Sequence, residues 1–305
     1  MTAQSNILII ANPTSGKRRR AAPTEAIAAN LQRRGLGVTV RHTKSAGDAE
    51  RIATEALQQD VAPPSCLVAC GGDGTIQQVA DALANARERL GEQCPSMALA
   101  PAGRCNDFAR ALGIALDADF MAAVIADGID TPIDLGRING RYFCTIVTVG
   151  IDAEVSRFVD GMKMPLTGTL AYLYGAARVL LRYTPRTLSI QGDFGKVEGP
   201  MLLACSANTP SYGGAVPIAP SADPTDGKLD LCVIRHTSMW KAFRLIPAVL
   251  RGGHTTRPAV TYVKTTKVCI DSPDSLELWA DGEPIGSTPA TIEIVPSAIR
   301  IRLPA

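Results

Sequence analysis

Between Asn6 and Asp130, short apolar runs alternate with amphipathic helical stretches, and few folds accept that pattern. The order is "NILIIANP", a helix over Thr24–Arg33, "GVTVRH", a helix over Asp48–Gln59, "CLVAC", a helix over Thr75–Leu90, "SMALAPAG", and two further helical stretches. Strands of this kind alternating with helices predict a parallel sheet covered on both faces. In such sheets ligands bind beyond the carboxyl ends of the strands. From about Thr131 onward the chain is richer in Thr, Val and turn residues. "RINGRYF" is a hairpin signal, with Asn139 and Gly140 between extended runs. "VKTTKVCI" and "LELWADGEPI" read as further strands, and Gly168–Arg182 and Ser238–Arg251 as helical insertions. A chain of 305 residues suits two cores better than one. The expected class is therefore an α/β unit over residues 1–133 followed by a β-rich unit over 134–305.

Several classes are disfavoured. A net charge of +2 gives no argument for a nucleic-acid partner. No segment joins a basic start, an apolar core and a small-residue cleavage site, so no signal peptide is read. Leu166–Leu181 is apolar, but Gly168, Gly175 and Arg178 interrupt it, and it falls short of the ~20 residues that cross a bilayer. The 8 cysteines lack metal-like or redox-like spacing and read as reduced thiols of a cytoplasmic protein. Nothing in the sequence signals a particular oligomeric state.

At residues 68–83, "VACGGDGTIQQVADAL", a buried strand ends and a helix begins. Glycines there permit positive φ and a close backbone approach to a ligand. Free amides at the helix start suit a phosphate. Asp73 among Gly71, Gly72 and Gly74 would repel phosphates unless a divalent cation lay between, which points to Mg²⁺-nucleotide chemistry. The plainer alternative is a tight turn with a helix cap. Two more loops leave the same sheet edge: "NPTSGK" after the first strand and "PAGRCNDFAR" after the fourth. Neither is specific alone, and the first lacks Walker A spacing. Three such loops at one edge are hard to explain as packing.

"NPTSG", "GGDGT" and "NDFAR", in that order, resemble the catalytic domain of diacylglycerol kinases and of the related sphingosine and ceramide kinases, with the bacterial soluble lipid kinases as the nearest branch. "YGGAVPIAPSADPTDGKLDL", "GGHTTRPAV" and the late "ADGEPI" extend the resemblance over nearly the whole chain. "GGDGT" alone is shared with nicotinamide-dinucleotide kinases and resembles the phosphofructokinase loop, and the other elements separate this chain from both. The resemblance implies a phosphofructokinase-like α/β nucleotide domain, a C-terminal β-sandwich-like domain and an active site in the cleft between them, the last strand packing back on the first domain.

It also implies roles. Asn12, Pro13, Thr14, Ser15 and Gly16 line an ATP site with Thr43, Gly71, Gly72, Asp73, Gly74 and Thr75. Asn106 and Asp107 form the "NDF" element, whose aspartate matches a family carboxylate tied to Mg²⁺ and phosphate geometry; a helix-start aspartate is the plainer reading. Asp134 in "PIDLG" matches another family aspartate near the cleft. Asp281 and Glu283 supply the general base, without a choice between them. They share one face if "ADGEPI" is extended and diverge if Gly282 makes a tight turn. Asp223, Asp226 and Lys228 match a largely structural Mg²⁺ site, Lys228 through its carbonyl, with a polar turn as the alternative.

One residue departs from the pattern. Arg104 stands where the family commonly has a nucleotide-contacting threonine, and it either pairs with phosphate or swings away. "MWKAFRLIPAVLRGG" is a basic amphipathic stretch, suited to covering a sheet or to lying on an anionic membrane. The expected partners are a lipid substrate and, transiently, the inner membrane face. Two other readings stand beside the lipid kinase: a kinase of a soluble acceptor such as a nicotinamide dinucleotide, and a non-catalytic nucleotide or lipid sensor.

Overall fold

The computed structural model describes residues 6–15, 24–58, 63–151, 154–155, 174–175, 178–214 and 216–304. They form two compact units: residues up to Asp134 together with those from Ser297 on, and Leu135–Pro296.

The first unit is built on four parallel strands, β1 (Asn6–Ala11), β2 (Gly37–His42), β3 (Cys66–Gly71) and β4 (Ser96–Pro101), in the order 2-1-3-4. The end of β15 (Ala290–Leu303) lies parallel to β4, with Ile301 opposite Met97. The helices are α1 (Thr24–Arg33), α2 (Asp48–Gln58), α3 (Asp73–Leu90), α4 (Asp107–Ala111) and α5 (Ala118–Asp127). The step from β1 to β2 runs one way across the sheet, and the steps to β3 and β4 run the other. Right-handed crossovers then put α1 on one face and α2 and α3 on the opposite one. α1 packs on α5, and α2 on α3. Ile7, Ile9, Leu67, Val68 and Met97 of the strands are buried, as are Ile27, Leu31, Ile52, Ile76 and Val79 of the helices. Because β1 and β3 are neighbours whose connections leave to opposite faces, a crevice opens at their carboxyl ends, the position where such sheets bind ligands.

α3 starts two residues earlier than its pattern predicts. Gly72 is an extended N-cap (φ −83, ψ −177), so Asp73 and Gly74 fall in the first helical turn. An acidic side chain is favourable there.

The second unit is antiparallel. It contains the end of β5 (Ile129–Ile138), β6 (Arg141–Phe143), β7 (Ile146–Gly150), β8 (Arg186–Gly192), β9 (Gly195–Ala207), β10 (Leu229–Arg235), β11 (Val260–Thr265), β12 (Lys267–Asp271), β13 (Glu277–Ala280), β14 (Glu283–Ser287) and the start of β15. The order is 14-13-7-9-8-12-15, with β10 pairing β9 and β11. The first half of β9 pairs with β8, and its second half is flanked by β7 and β10. Val147, Leu188, Val197, Leu229, Val233, Val268, Leu278 and Ile292 form the core.

Two runs read as single strands are each two. "VKTTKVCI" breaks at Thr266, where the chain leaves β10 for β8 and β15, and the Thr266 amide donates to Asp193 Oδ2 at 3.2 Å. "LELWADGEPI" is a hairpin turned at Asp281 and Gly282, both at positive φ (50 and 87). Asn139 and Gly140 make another two-residue turn, with φ of 51 and 78. Opposite that turn, Gly136 lies beneath the Phe143 ring, and a Cβ there would stand 1.9 Å from Phe143 Cζ. Gly136→Ala should lower stability by about 3 kcal/mol, read as a fall in the denaturant midpoint; an unchanged midpoint would show that the ring has room to move.

The Gly168–Arg182 insertion lies mostly outside the described residues. The other is α6 (Met239–Leu250). No described helix is long and apolar enough to cross a membrane. None of the 8 cysteines is in a disulfide.

Candidate active site

In the first unit the strand-end loops are cross-linked to one another. After β1, the Asn12 amide donates to Cys70 O at 2.8 Å. The Asn12 carboxamide oxygen accepts from the Thr14 amide at 3.0 Å and hydroxyl at 2.7 Å, closing a turn through Pro13. Asn12 Nδ2 donates to Thr75 Oγ1 at 3.4 Å, and the Gly72 amide donates to Ser15 Oγ at 3.2 Å. The first loop is thus lashed to the glycine turn. Thr43, after β2, is buried beside it, its amide donating to Ala11 O at 2.9 Å. Gly16 lies outside the described residues.

The glycines are not equivalent. A Cβ on Gly71 would stand 2.4 Å from Thr75 Oγ1, and one on Gly103 would stand 2.6 Å from the Gly72 Cα. Backbone touches backbone where the "GGDGT" and "PAGRCNDF" loops meet, which only glycine allows. Around Gly74 there is open space, with nothing within 4 Å of such a Cβ. Gly103 was not singled out from the sequence; its partner in contact lies 31 positions away, and only the "PAG" at a strand end hinted at it.

Asn106 is left-handed (φ 52, ψ 44), a conformation Asn tolerates. Its side chain closes the loop on Gly103, Oδ1 accepting from the amide at 2.8 Å and Nδ2 donating to the carbonyl at 3.1 Å. The Asn106 amide donates to Asp73 Oδ2 at 2.9 Å. Asp73 Oδ1 is buried without a hydrogen-bond partner. Burial pushes the Asp73 carboxyl above its ordinary pKa, while the amides of Asn106, Asp107 and Phe108 pull it back. One oxygen of Asp73 therefore holds the third loop and the other is left with unmet demand, which a cation or a polar ligand group would satisfy. With the bare backbone at Gly72 and Gly103 beside it, the loop set fits a metal-bearing phosphate ligand.

Asp107 is buried, and its Oδ1 accepts from Arg110 at 3.1 Å; Arg110 also donates to Cys105 O at 2.6 Å. Arg104 is exposed between Gly103 and Cys105. Asp134 is buried, and its Oδ1 accepts from the Ser297 amide at 2.7 Å, fixing Ser297 at φ 51.

In the second unit the tight turn separates the two late carboxylates. Asp281 folds back on β7: Oδ2 accepts from the Cys144 amide at 2.7 Å, and Oδ1 accepts from the Thr145 amide at 2.8 Å and the Thr145 hydroxyl. Burial raises its pKa against the lowering effect of these donors. Glu283 is exposed at the start of β14, and its carboxylate makes no hydrogen bond or ion pair with the described residues.

Asp223, Asp226 and Lys228 share one turn, the Asp226 amide donating to Asp223 O at 3.3 Å. Asp223 Oδ1 accepts from the Thr225 amide at 3.0 Å and hydroxyl at 2.7 Å. Asp226 Oδ1 accepts from the Lys228 amide at 2.9 Å. Its Oδ2 meets the Lys264 ammonium at 2.5 Å, which also stands 3.0 Å from Ser221 O and 3.2 Å from Asp230 Oδ2. Burial would lower the Lys264 pKa, but the two carboxylates outweigh it and raise it. Among the described residues no three His, Cys, Asp or Glu side chains could hold a metal together. A lysine sits on the carboxylate that a cation would need, so these residues do not fit a structural Mg²⁺ site. Lys264→Met should cost about 2 kcal/mol, less than a fully buried pair because the lysine is partly exposed. Without nucleotide, wild-type melting should not respond to Mg²⁺ or EDTA; a Mg²⁺-dependent rise lost in Asp226→Asn would show a metal site after all. Lys264 lies 38 residues from Asp226, so no local pattern in the sequence marks the pair.

Comparison with known proteins covers nearly the whole length. Residues 6–138 match the diacylglycerol kinase catalytic domain, and residues 145–303 match the YegS C-terminal NAD kinase beta sandwich-like domain. A diacylglycerol kinase of Bacillus subtilis (strain 168) is 31% identical over 282 residues, spanning 92% of this chain and 90% of the relative. One of Staphylococcus carnosus (strain TM300) is 29% identical over 296 residues, spanning 97% and 94%. The crystal structure of a diacylglycerol kinase from Bacillus anthracis str. Sterne shares the fold with a TM-score of 0.74 at 21% identity, over 98% of this chain and 97% of that one. An α/β catalytic domain followed by a β-sandwich-like domain, with the glycine loops at the strand ends of the first, places this chain in the diacylglycerol kinase catalytic-domain family.

Proposed function

We propose that this chain is a lipid kinase that moves the γ-phosphoryl group of ATP, presented with Mg²⁺, to a lipid hydroxyl, working in the cytoplasm at the inner membrane face. The observation that carries the lipid acceptor is an apolar cavity of about 130 Å³ in the second unit, lined by Leu202, Leu203, Ile218, Leu245, Ile246 and Val249. A dinucleotide would find almost no polar partner on that wall, and burying its polar groups unpaired would be costly.

The residues divide the work. Asn12, Ser15, Thr43, Gly72 and Gly103 shape the phosphate-binding surface, and Asp73 Oδ1 would hold the cation. Bound Mg²⁺ neutralises charge on the phosphate oxygens. Asp107 and Asn106 keep the third loop in register with the glycine turn. Glu283 takes the proton of the attacking hydroxyl, because both oxygens of Asp281 already accept hydrogen bonds. Asp281 orients the turn that carries Glu283.

The test is transfer of label from ATP, with Mg²⁺, into micelles of diacylglycerol, monoacylglycerol, sphingosine or ceramide, with a nicotinamide dinucleotide as soluble control. Label in one lipid class that disappears with Glu283→Gln supports the reading and names the acceptor. Label only in the dinucleotide, or none although ATP binds, overturns it.

A further inference from the structure

We propose that α6 docks this protein on an anionic bilayer, with Trp240 entering the lipid interface; this rests on the lipid-kinase reading and names the surface that brings the enzyme to its substrate. The helix has two distinct sides. Ala242 and Leu245 are buried against the core, and Ile246 and Val249 line the apolar cavity. On the opposite side, Trp240, Arg244, Pro247 and Arg251 follow one another at i, i+4, i+7 and i+11, a single stripe along a helix, and all four are exposed. Trp240 is 81% exposed and the adjacent Met239 41%. A tryptophan held in water on a helix is an unusual placement for so large an apolar group, and its ring suits the headgroup region.

The charge around it is one-sided. From Leu231 to Ile270 the chain has no Asp or Glu, although the whole sequence has 29, and it carries Arg235, Lys241, Arg244, Arg251, Arg257, Lys264 and Lys267. Lys264 is committed to Asp226 and Asp230. Lys241, Arg244 and Arg251 are exposed and form no ion pair with the described residues. An aromatic wedge flanked by cations that pair with none of the described residues, with no carboxylate in the same stretch of chain, is complementary to a negatively charged lipid surface. The cavity behind the helix puts the apolar wall for an acyl chain on the other side of the element that meets the membrane.

The chain has 2 tryptophans, so Trp279→Phe leaves Trp240 as the sole tryptophan, which can be excited selectively at wavelengths where tyrosine does not absorb. With vesicles of phosphatidylcholine containing phosphatidylglycerol and no diacylglycerol, its emission should shift to the blue and be quenched by brominated acyl chains. Vesicles of phosphatidylcholine alone should give a much weaker response. In co-sedimentation, Trp240→Ala should weaken binding about tenfold or more. Arg244→Ala and Arg251→Ala should each weaken it about fivefold. Phosphorylation of a short-chain acceptor kept below its micelle concentration should be unchanged in Trp240→Ala. Insertion without phosphorylation of any lipid would support this surface and sink the lipid-kinase reading. Phosphorylation with unshifted Trp240 emission and unaltered sedimentation would do the reverse. Trp240 emission already blue in vesicle-free protein that behaves as a dimer would assign the face to a second copy and overturn the proposal.

Discussion

Asp73→Asn should reduce phosphoryl transfer by about 10³-fold while leaving the protein at least as stable as before. The substitution keeps an oxygen for the Asn106 amide, which sits 2.9 Å from Asp73 Oδ2, so the two loops stay joined. What it removes is the charge on a carboxylate whose second oxygen is buried without a partner. Strained, under-satisfied groups of this kind are commonly traded against function. The pH dependence follows from the sign of the shift. Burial raises the Asp73 pKa above 3.8, so the folded protein keeps this proton to higher pH than the unfolded chain does. Its contribution to stability is full below that ordinary value and is lost as pH rises through the raised one. Activity that depends on the carboxylate rises over the same interval. Melting temperatures of wild type and Asp73→Asn should therefore converge in acid and separate toward neutrality, the variant melting higher. A variant that melts several degrees lower at neutral pH would mean that the charge serves the fold first.

The second large effect separates the two late carboxylates. Asp281→Ala strips the acceptor from three donors, the Cys144 amide, the Thr145 amide and the Thr145 hydroxyl. Each buried donor left unmet costs about 1–3 kcal/mol, and partial rehydration at this half-open turn should bring the total to roughly 3 kcal/mol. The β13–β14 hairpin is anchored to β7 at this point, so activity should fall with the fold. Glu283→Gln should behave in the opposite way. It alters an exposed side chain that pairs with none of the described residues, so the stability change should stay within about 0.5 kcal/mol, and kcat should drop about 10²–10⁴-fold with nucleotide binding intact. Melting curves and kcat measured on both variants decide the assignment. An active Glu283→Gln beside a folded, inactive Asp281→Asn would move the base to Asp281.

The first unit is readable in its sequence because each of its signals is local. Apolar runs buried on both faces, helical spacing and glycines at strand ends all occur within windows of about ten residues. The strand switch at β1 and β3 then places the loops without further information. The second unit hides more. Thr266 turns a corner inside a run that reads as one strand, because partner exchange leaves no mark in alternation. The "DG" of "ADGEPI" does signal a turn, and the structure adds what the turn does: it points Asp281 into backbone donors and leaves Glu283 outside. Lys264 reaches Asp226 and Asp230 across a strand pair, a tertiary contact with no sequence period. The amphipathic stretch at Ser238–Arg251 is legible as a helix, but its Trp240 does not join the apolar face formed by Ala242, Leu245 and Val249; one residue's angle on the helix decides that.

The last strand has a consequence for biosynthesis. Ile301 pairs with Met97 of β4, Arg302 donates to Ser96 Oγ at 3.1 Å, Asp130 Oδ1 at 2.9 Å and Ile125 O at 2.7 Å, and Arg300 donates to Cys94 O at 2.6 Å. A ribosome delivers β1 to β4 before their outermost neighbour β15, with the strands of the second unit in between. Until β15 emerges, the nascent α/β sheet must wait with the β4 edge open, a template for wrong pairing. Chains that stall or are cleaved before Ser297 would never cover it, so quality control by chaperones and proteases should act most strongly on truncated products of this gene.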